Sequence, residues 1–145
     1  MDTTRPCRTL VVDDNAASAM TLKWLAESYG CDAMMCHDGP SALELCDVFR
    51  PDVIFLDLGM RGMNGIEVCE ALRRDPRFSD VRIVAQTGWG DARTRQKTEA
   101  AGFDEHLVKP VCPQRFAAII ADIHDGVGQD TPARKKTTTG KPAAA

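Results

Sequence analysis

Val53-Ile54-Phe55-Leu56, followed at once by Asp57, is an unbroken apolar run that ends in a carboxylate. A strand with one wet face alternates apolar and polar residues; a run without alternation fits a parallel strand covered on both faces. Similar short runs flank it on either side: Leu10-Val11-Val12, Ala33-Met34-Met35-Cys36, Ile83-Val84-Ala85 and Leu107-Val108. Between the runs the period changes to that of a helix. Leu22, Leu25, Ala26 and Tyr29 are spaced i, i+3, i+4, i+7, as are Ala42, Leu45, Cys46 and Phe49, and Phe116, Ile119, Ile120 and Ile123. Each set makes one apolar stripe for a sheet face. Val68, Cys69 and Leu72 make a shorter one. The apolar members of segment 91–101 are only alanines, interleaved with Arg93, Arg95 and Lys97, which predicts a weakly anchored helix. Strand and helix thus alternate five times. That order predicts an α/β fold, a doubly wound five-stranded parallel sheet with right-handed crossovers.

The 145 residues, 43% hydrophobic and 27% charged, fit one domain with a real core. No apolar run reaches the roughly 18 residues of a membrane span. The first residues carry no apolar signal segment, so a cytoplasmic location is expected. Cysteines 7, 31, 36, 46, 69 and 112 form no CxxC pair and mostly sit in apolar runs, so they read as buried or incidental thiols. After Asp125 the pattern stops, giving a domain over 8–124 and a basic tail, 125–145, expected to be disordered. Arg134, Lys135, Lys136 and Lys141 against Asp130 give residues 126–145 a charge of +3, which leaves −6 on residues 1–125 within the net −3. An acidic body argues against nucleic-acid binding.

In an open parallel sheet, ligands bind at the carboxyl ends of the strands. Asp13 and Asp14 follow the first apolar run, Asp57 the third, Thr87-Gly88 the fourth and Lys109-Pro110 the fifth. Each has a bland reading alone: Asp13 or Asp14 as a helix cap, Thr87-Gly88 as a turn, Lys109 as a loop residue. Together they make a crevice in which three carboxylates repel one another and require a cation. Hard oxygen donors suit Mg²⁺. Lys109 adds a movable positive charge and Thr87 a hydroxyl. Such a set can hold a tetrahedral oxyanion against a carboxylate, which is what phosphoryl transfer to an aspartate needs.

These pieces resemble the receiver domains of bacterial two-component systems. The resemblance is carried, in order, by Val11-Val12-Asp13-Asp14-Asn15, Phe55-Leu56-Asp57-Leu58, Gly62-Met63-Asn64-Gly65, Ala85-Gln86-Thr87-Gly88 and Leu107-Val108-Lys109-Pro110, over roughly residues 8–124. It implies a flavodoxin-like sheet of order 2-1-3-4-5, with Asp57 as phosphoacceptor. Mg²⁺ would be held by Asp14 and Asp57, by the backbone carbonyl of Gly59, and by Asp13 largely through water. Lys109 would bind the phosphoryl group, and Thr87 would swing to bond it. His106 would be the switch residue, and Lys109–Pro110 a cis peptide. The chain departs from the family at Arg61, where proline is common, and at Asn64, where aspartate is common. Gly59 and Trp89 flank the expected phosphoryl position.

The resemblance further implies a phosphodonor, either a histidine kinase or a histidine phosphotransfer protein. The output would be docking to an unknown downstream protein or relay of the phosphoryl group, without nucleic-acid binding or membrane insertion. The chain is accordingly expected to be a single-domain signalling protein rather than an enzyme. Two alternatives use the same fold: a phosphorylation-independent protein-binding module, and a receiver segment of a hybrid histidine kinase. A phosphatase with an aspartyl-phosphate intermediate fits poorly, because the residue two after Asp57 is Gly59 instead of a second acid.

Overall fold

The computed structural model describes residues 5–88, 90 and 92–127. Trp89 and the expected tail beyond residue 127 lie outside the described residues. The chain alternates β1 (Arg8–Val12), α1 (Ala16–Ser28), β2 (Asp32–Cys36), α2 (Gly39–Phe49), β3 (Val53–Asp57), α3 (Gly65–Arg73), β4 (Arg82–Thr87), α4 (Ala92–Ala101), β5 (Glu105–Val108) and α5 (Pro113–Val127). The strands form one parallel sheet in the order β2-β1-β3-β4-β5.

Every residue of β3 is buried, as its unbroken apolar run requires. The pleat sends alternate side chains to two cores. Ile54 and Leu56 join Leu10, Val12, Ile83 and Ala85 under α2, α3 and α4. Val53 and Phe55 join Val11, Val84 and Leu107 under α1 and α5. The whole predicted stripe of α5, Phe116, Ile119, Ile120 and Ile123, is buried there, with Phe116 stacked 4.6 Å from Phe55 between ring centroids. Each such aromatic or branched side chain contributes about 1.5–3 kcal/mol by leaving water. The stripe of α1 is partly displaced: Leu22 and Ala26 are buried, but Tyr29 is the helix C-cap and is exposed. β2 is an edge strand, and its Met34 is exposed despite the continuous run.

Helix starts follow local chemistry. The Asn15 side chain accepts the Ser18 N–H at 2.9 Å, and Asp38 accepts the Ser41 N–H at 2.8 Å. Asn64 and Glu67 form a reciprocal capping box at α3, at 3.0 and 2.9 Å. α4 buries only Thr98 and Ala101, in keeping with its expected weak anchoring. After α3, a 3-10 turn over Pro76–Phe78 buries Phe78. Arg73 ties this region together. Its guanidinium donates to the carbonyls of Gly102 at 2.9 Å, Phe78 at 3.0 Å and Val81 at 2.9 Å, and to Asp104 at 2.8 Å.

Candidate functional site

Strand register assembles the site. Val12 pairs with Leu56, so Asp13 and Asp57 emerge from adjacent strand ends. Asp57 pairs with Gln86, one residue before Thr87. Thr87 pairs with Val108, one residue before Lys109, and the Lys109 N–H donates to the Thr87 carbonyl at 2.8 Å. Asp13, Asp57, Thr87 and Lys109 thus line one carboxyl edge. The Lys109–Pro110 bond is cis, as the resemblance implies.

Asp13 is fully buried, Asp57 nearly so, and Asp14 is exposed. One carboxylate oxygen from each lies within 4.8 Å of the others. Neither Asp13 nor Asp14 is spent as the cap of α1, because Asn15 takes that place. The Asn15 N–H instead donates to Asp13 at 2.9 Å and orients it. The Lys109 ammonium lies 3.0 Å from Asp13 and 3.5 Å from Asp57. The Gly59 N–H donates to Asp57 at 3.3 Å, which brings the Gly59 backbone to the crevice.

Burial, and then the charge of Asp13, push the Asp57 carboxyl above its ordinary range; the Gly59 N–H and Lys109 offset this only in part. Burial pulls Lys109 down, but its bond to Asp13 and the charge of Asp57 outweigh that and hold it protonated. Three carboxylates against one ammonium leave a negative surplus in a partly dry crevice. All the donors are hard oxygens. This set fits a divalent cation of the Mg²⁺ type, with the exposed side of Asp14 leaving room for water.

Two expected residues sit differently from these. Thr87 is buried at the end of β4, beside the crevice. His106 is remote from the carboxylates: it pairs with Ala85 in the sheet, and its Nδ1 lies 3.4 Å from the Thr98 hydroxyl on α4. It therefore links β5 to α4. Neither departure from the family pattern disrupts the site. Arg61 is exposed, and Asn64 keeps the α3 cap through its amide oxygen.

Sequence reasoning missed three positions. His37 places its Nδ1 3.0 Å from the Asp13 carbonyl. A Cβ on Gly65 would meet the Asp57 carbonyl oxygen at 2.5 Å, so glycine is needed where α3 starts against the end of β3. Gln86 lies under an apolar cleft between α1 and the β5–α5 loop, rimmed by Trp24, Leu22, Lys109 and Pro110. Gly65 and Gln86 left a signal in the sequence, as members of the Gly62-Met63-Asn64-Gly65 and Ala85-Gln86-Thr87-Gly88 motifs, while His37 left none.

A five-stranded 2-1-3-4-5 parallel sheet with an acidic cluster and a lysine at its carboxyl edge is a flavodoxin-like receiver fold. Residues 9–121 match the model of the response regulator receiver domain, and the chain belongs to that family of two-component signalling proteins. It is 38% identical over 118 residues to the DNA-binding response regulator MtrA of Mycobacterium tuberculosis, covering 81% of this chain and 50% of that protein. It is 34% identical to a probable transcriptional regulator, ycf27, of Guillardia theta, covering 78% of this chain and 43% of the relative. The chain therefore spans about half the length of the curated relatives it matches. Among solved structures, chemotaxis response regulator CheY4 of Vibrio cholerae superposes with a TM-score of 0.76 at 25% identity, covering 81% of this chain and 98% of that one. The receiver domain of a signal transduction histidine kinase from Syntrophus aciditrophicus gives 0.78 at 25% identity, covering 87% and 96%. Receiver domains generally bind Mg²⁺ at an acidic pocket and work with histidine kinases or phosphotransfer proteins. Among the described residues, no helix is long and apolar enough to cross a membrane.

Proposed function

We propose that this domain accepts a phosphoryl group on Asp57 from the phosphohistidine of a histidine kinase or phosphotransfer protein in the cytoplasm. The observation that supports this most is the Lys109 ammonium, shared at 3.0 and 3.5 Å between Asp13 and Asp57 beside an oxygen-donor cluster. An Asp57 carboxylate oxygen attacks phosphorus, the P–N bond breaks, and its electron pair returns to the donor imidazole. The product is an acyl phosphate. Asp14 and Asp57, with the Gly59 carbonyl and Asp13, would hold Mg²⁺, which would supply neutralisation of the phosphoryl oxygens. Lys109 gives up part of its hold on Asp57 and pairs with the new phosphoryl group. The Thr87 hydroxyl donates to a phosphoryl oxygen.

The output follows from the links already drawn. Thr87 moving toward the crevice vacates space near β5, and His106, bonded to Thr98, carries the change to α4. The face of α4, β5 and α5 is thus the docking surface that responds, a two-state element biased by a local charge event. We place protein docking or phosphoryl relay downstream, with no nucleic acid, because the body of the chain is acidic. Likeness to the receiver of a histidine kinase also favours a second reading, in which the domain works as the receiver segment of such a kinase.

The test is phosphate-affinity electrophoresis of the full chain with acetyl phosphate and with a phosphoramidate donor, with and without Mg²⁺, beside Asp57→Asn. A retarded band that needs both Mg²⁺ and Asp57 is expected. Beryllofluoride, a phosphoryl mimic, is expected to change tryptophan fluorescence in the presence of Mg²⁺. No retarded band with either donor, together with no beryllofluoride response, overturns the proposal in favour of a phosphorylation-independent binding module.

A further inference from the structure

Cys7 and Cys31 meet at the amino-terminal edge of the sheet, the edge opposite the acidic crevice. Arg8 pairs with Asp32 in the β1–β2 register, and the Asp32 N–H donates to the Cys7 carbonyl at 2.9 Å. Cys7 and Cys31 immediately precede these two paired residues, so continuing the register sets them opposite each other. Both side chains enter the core beneath α1 and α5, so they share a face. Neighbouring strands run about 4.8 Å apart, and disulfides join Cα atoms about 4.4–6.8 Å apart. The pair therefore needs no backbone rearrangement to link.

The two thiols also act on each other. The Cys7 S–H supports a negative charge on the Cys31 sulfur and, against the effect of burial, lowers that thiol below its ordinary value, while the same bond and burial push the Cys7 thiol well up. The Thr9 hydroxyl, 3.7 Å from the Cys7 sulfur, adds to the lowering at Cys31. By contrast, burial pushes Cys36 up to about 11, and Cys46 and Cys69 up to about 12. Cys31 is also the outer member, at 8% exposure against 0% for Cys7. The outer thiol, with its charge supported by the inner one, is placed to be oxidised first and the inner one to resolve it.

We infer that Cys7 and Cys31 form a reactive dithiol, oxidised by a hydroperoxide to a disulfide that joins the starts of β1 and β2. The Cys31 thiolate attacks the outer peroxide oxygen, the O–O bond breaks, and the alcohol or water leaves with a proton. Cys31 is then a sulfenic acid. The Cys7 sulfur attacks it, the S–S bond forms, and hydroxide departs as water. Two thiols lose two electrons, and the hydroperoxide gains them.

The experiment treats the reduced full chain, carrying Cys112→Ser to exclude its exposed thiol, with hydrogen peroxide. Residual thiols are blocked with N-ethylmaleimide before intact-mass and peptide analysis. The expected result is a loss of two mass units with a Cys7–Cys31 cross-linked peptide, both reversed by dithiothreitol. In that background, Cys31→Ser abolishes the link, while Cys7→Ser leaves a sulfenic acid at Cys31 that dimedone traps. Circular dichroism checks that the variants fold, and peptide mapping of the background protein decides the matter if they do not. Full maleimide labelling at both positions after peroxide, or a link that excludes either cysteine, overturns the inference.

Discussion

Replacing Asp57 by asparagine is expected to stabilise the fold while abolishing phosphorylation. At an effective dielectric of about 20, Lys109 at 3.5 Å attracts the Asp57 carboxylate by about 4.7 kcal/mol. Asp13, with an oxygen within 4.8 Å, repels it by at least about 3.5 kcal/mol on the same scale. Asp14 lies equally near but is exposed, and solvent cuts its contribution to about 1–2 kcal/mol. Attraction and repulsion nearly cancel. The desolvation of a carboxylate only 7% exposed is then left uncompensated. Asparagine keeps the shape and removes the charge. The expected gain is about 1–2 kcal/mol, or roughly 4–8 °C in Tm for a domain of this size. Urea unfolding followed by circular dichroism, in EDTA, measures it. Adding Mg²⁺ should then raise the wild-type midpoint and move the variant less, because one oxygen donor has lost its charge. Equal or lower stability of Asp57→Asn in EDTA would refute the reasoning, since Lys109 would then be compensating the cluster fully.

Substitutions at three further positions probe the frame around the site. Arg73→Ala removes one partly buried ion pair and strands several carbonyls, and is expected to cost about 3 kcal/mol. With a urea slope of about 2 kcal/mol/M, the midpoint should fall by about 1.5 M, and an unchanged midpoint would show that water replaces the guanidinium. Gly65→Ala drives a Cβ into the Asp57 carbonyl and is expected to cost about 1–3 kcal/mol. It should also slow phosphorylation by acetyl phosphate, followed as the rate at which the retarded band appears. Asn64→Ala breaks the capping box and is expected to cost about 1 kcal/mol, whereas Asn64→Asp should retain the wild-type urea midpoint to within about 0.5 kcal/mol.

What could be read in advance was whatever repeats locally or ends a strand. The unbroken run before Asp57 implied a central strand, and the spacing of Phe116, Ile119, Ile120 and Ile123 implied the buried face of α5. The site residues were legible because a parallel sheet brings the ends of separate strands together without further information. Contacts between distant segments left no such trace. Arg73 looks like any basic residue at a helix end, yet it is bonded to Gly102 and Asp104 about thirty positions away. Phe78 lies on a short turn with no period of its own. The partnership of His106 with Thr98 crosses from strand to helix, and nothing in the sequence of β5 shows it. Asn15, next to two aspartates, was the cap that left both of them available, and only the backbone geometry distinguishes the three.

The shallow seat of α4 has a consequence for whatever binds the domain. A helix that buries only a threonine and an alanine is displaced at little cost, so under the proposed mechanism one phosphoryl group would need to contribute only a small free energy to move it. Linkage makes that coupling reciprocal. A partner that grips only the shifted helix stabilises the modified protein by the same factor by which modification strengthens the partner's grip. The effector's concentration would then help set how much of the domain carries phosphate at equilibrium.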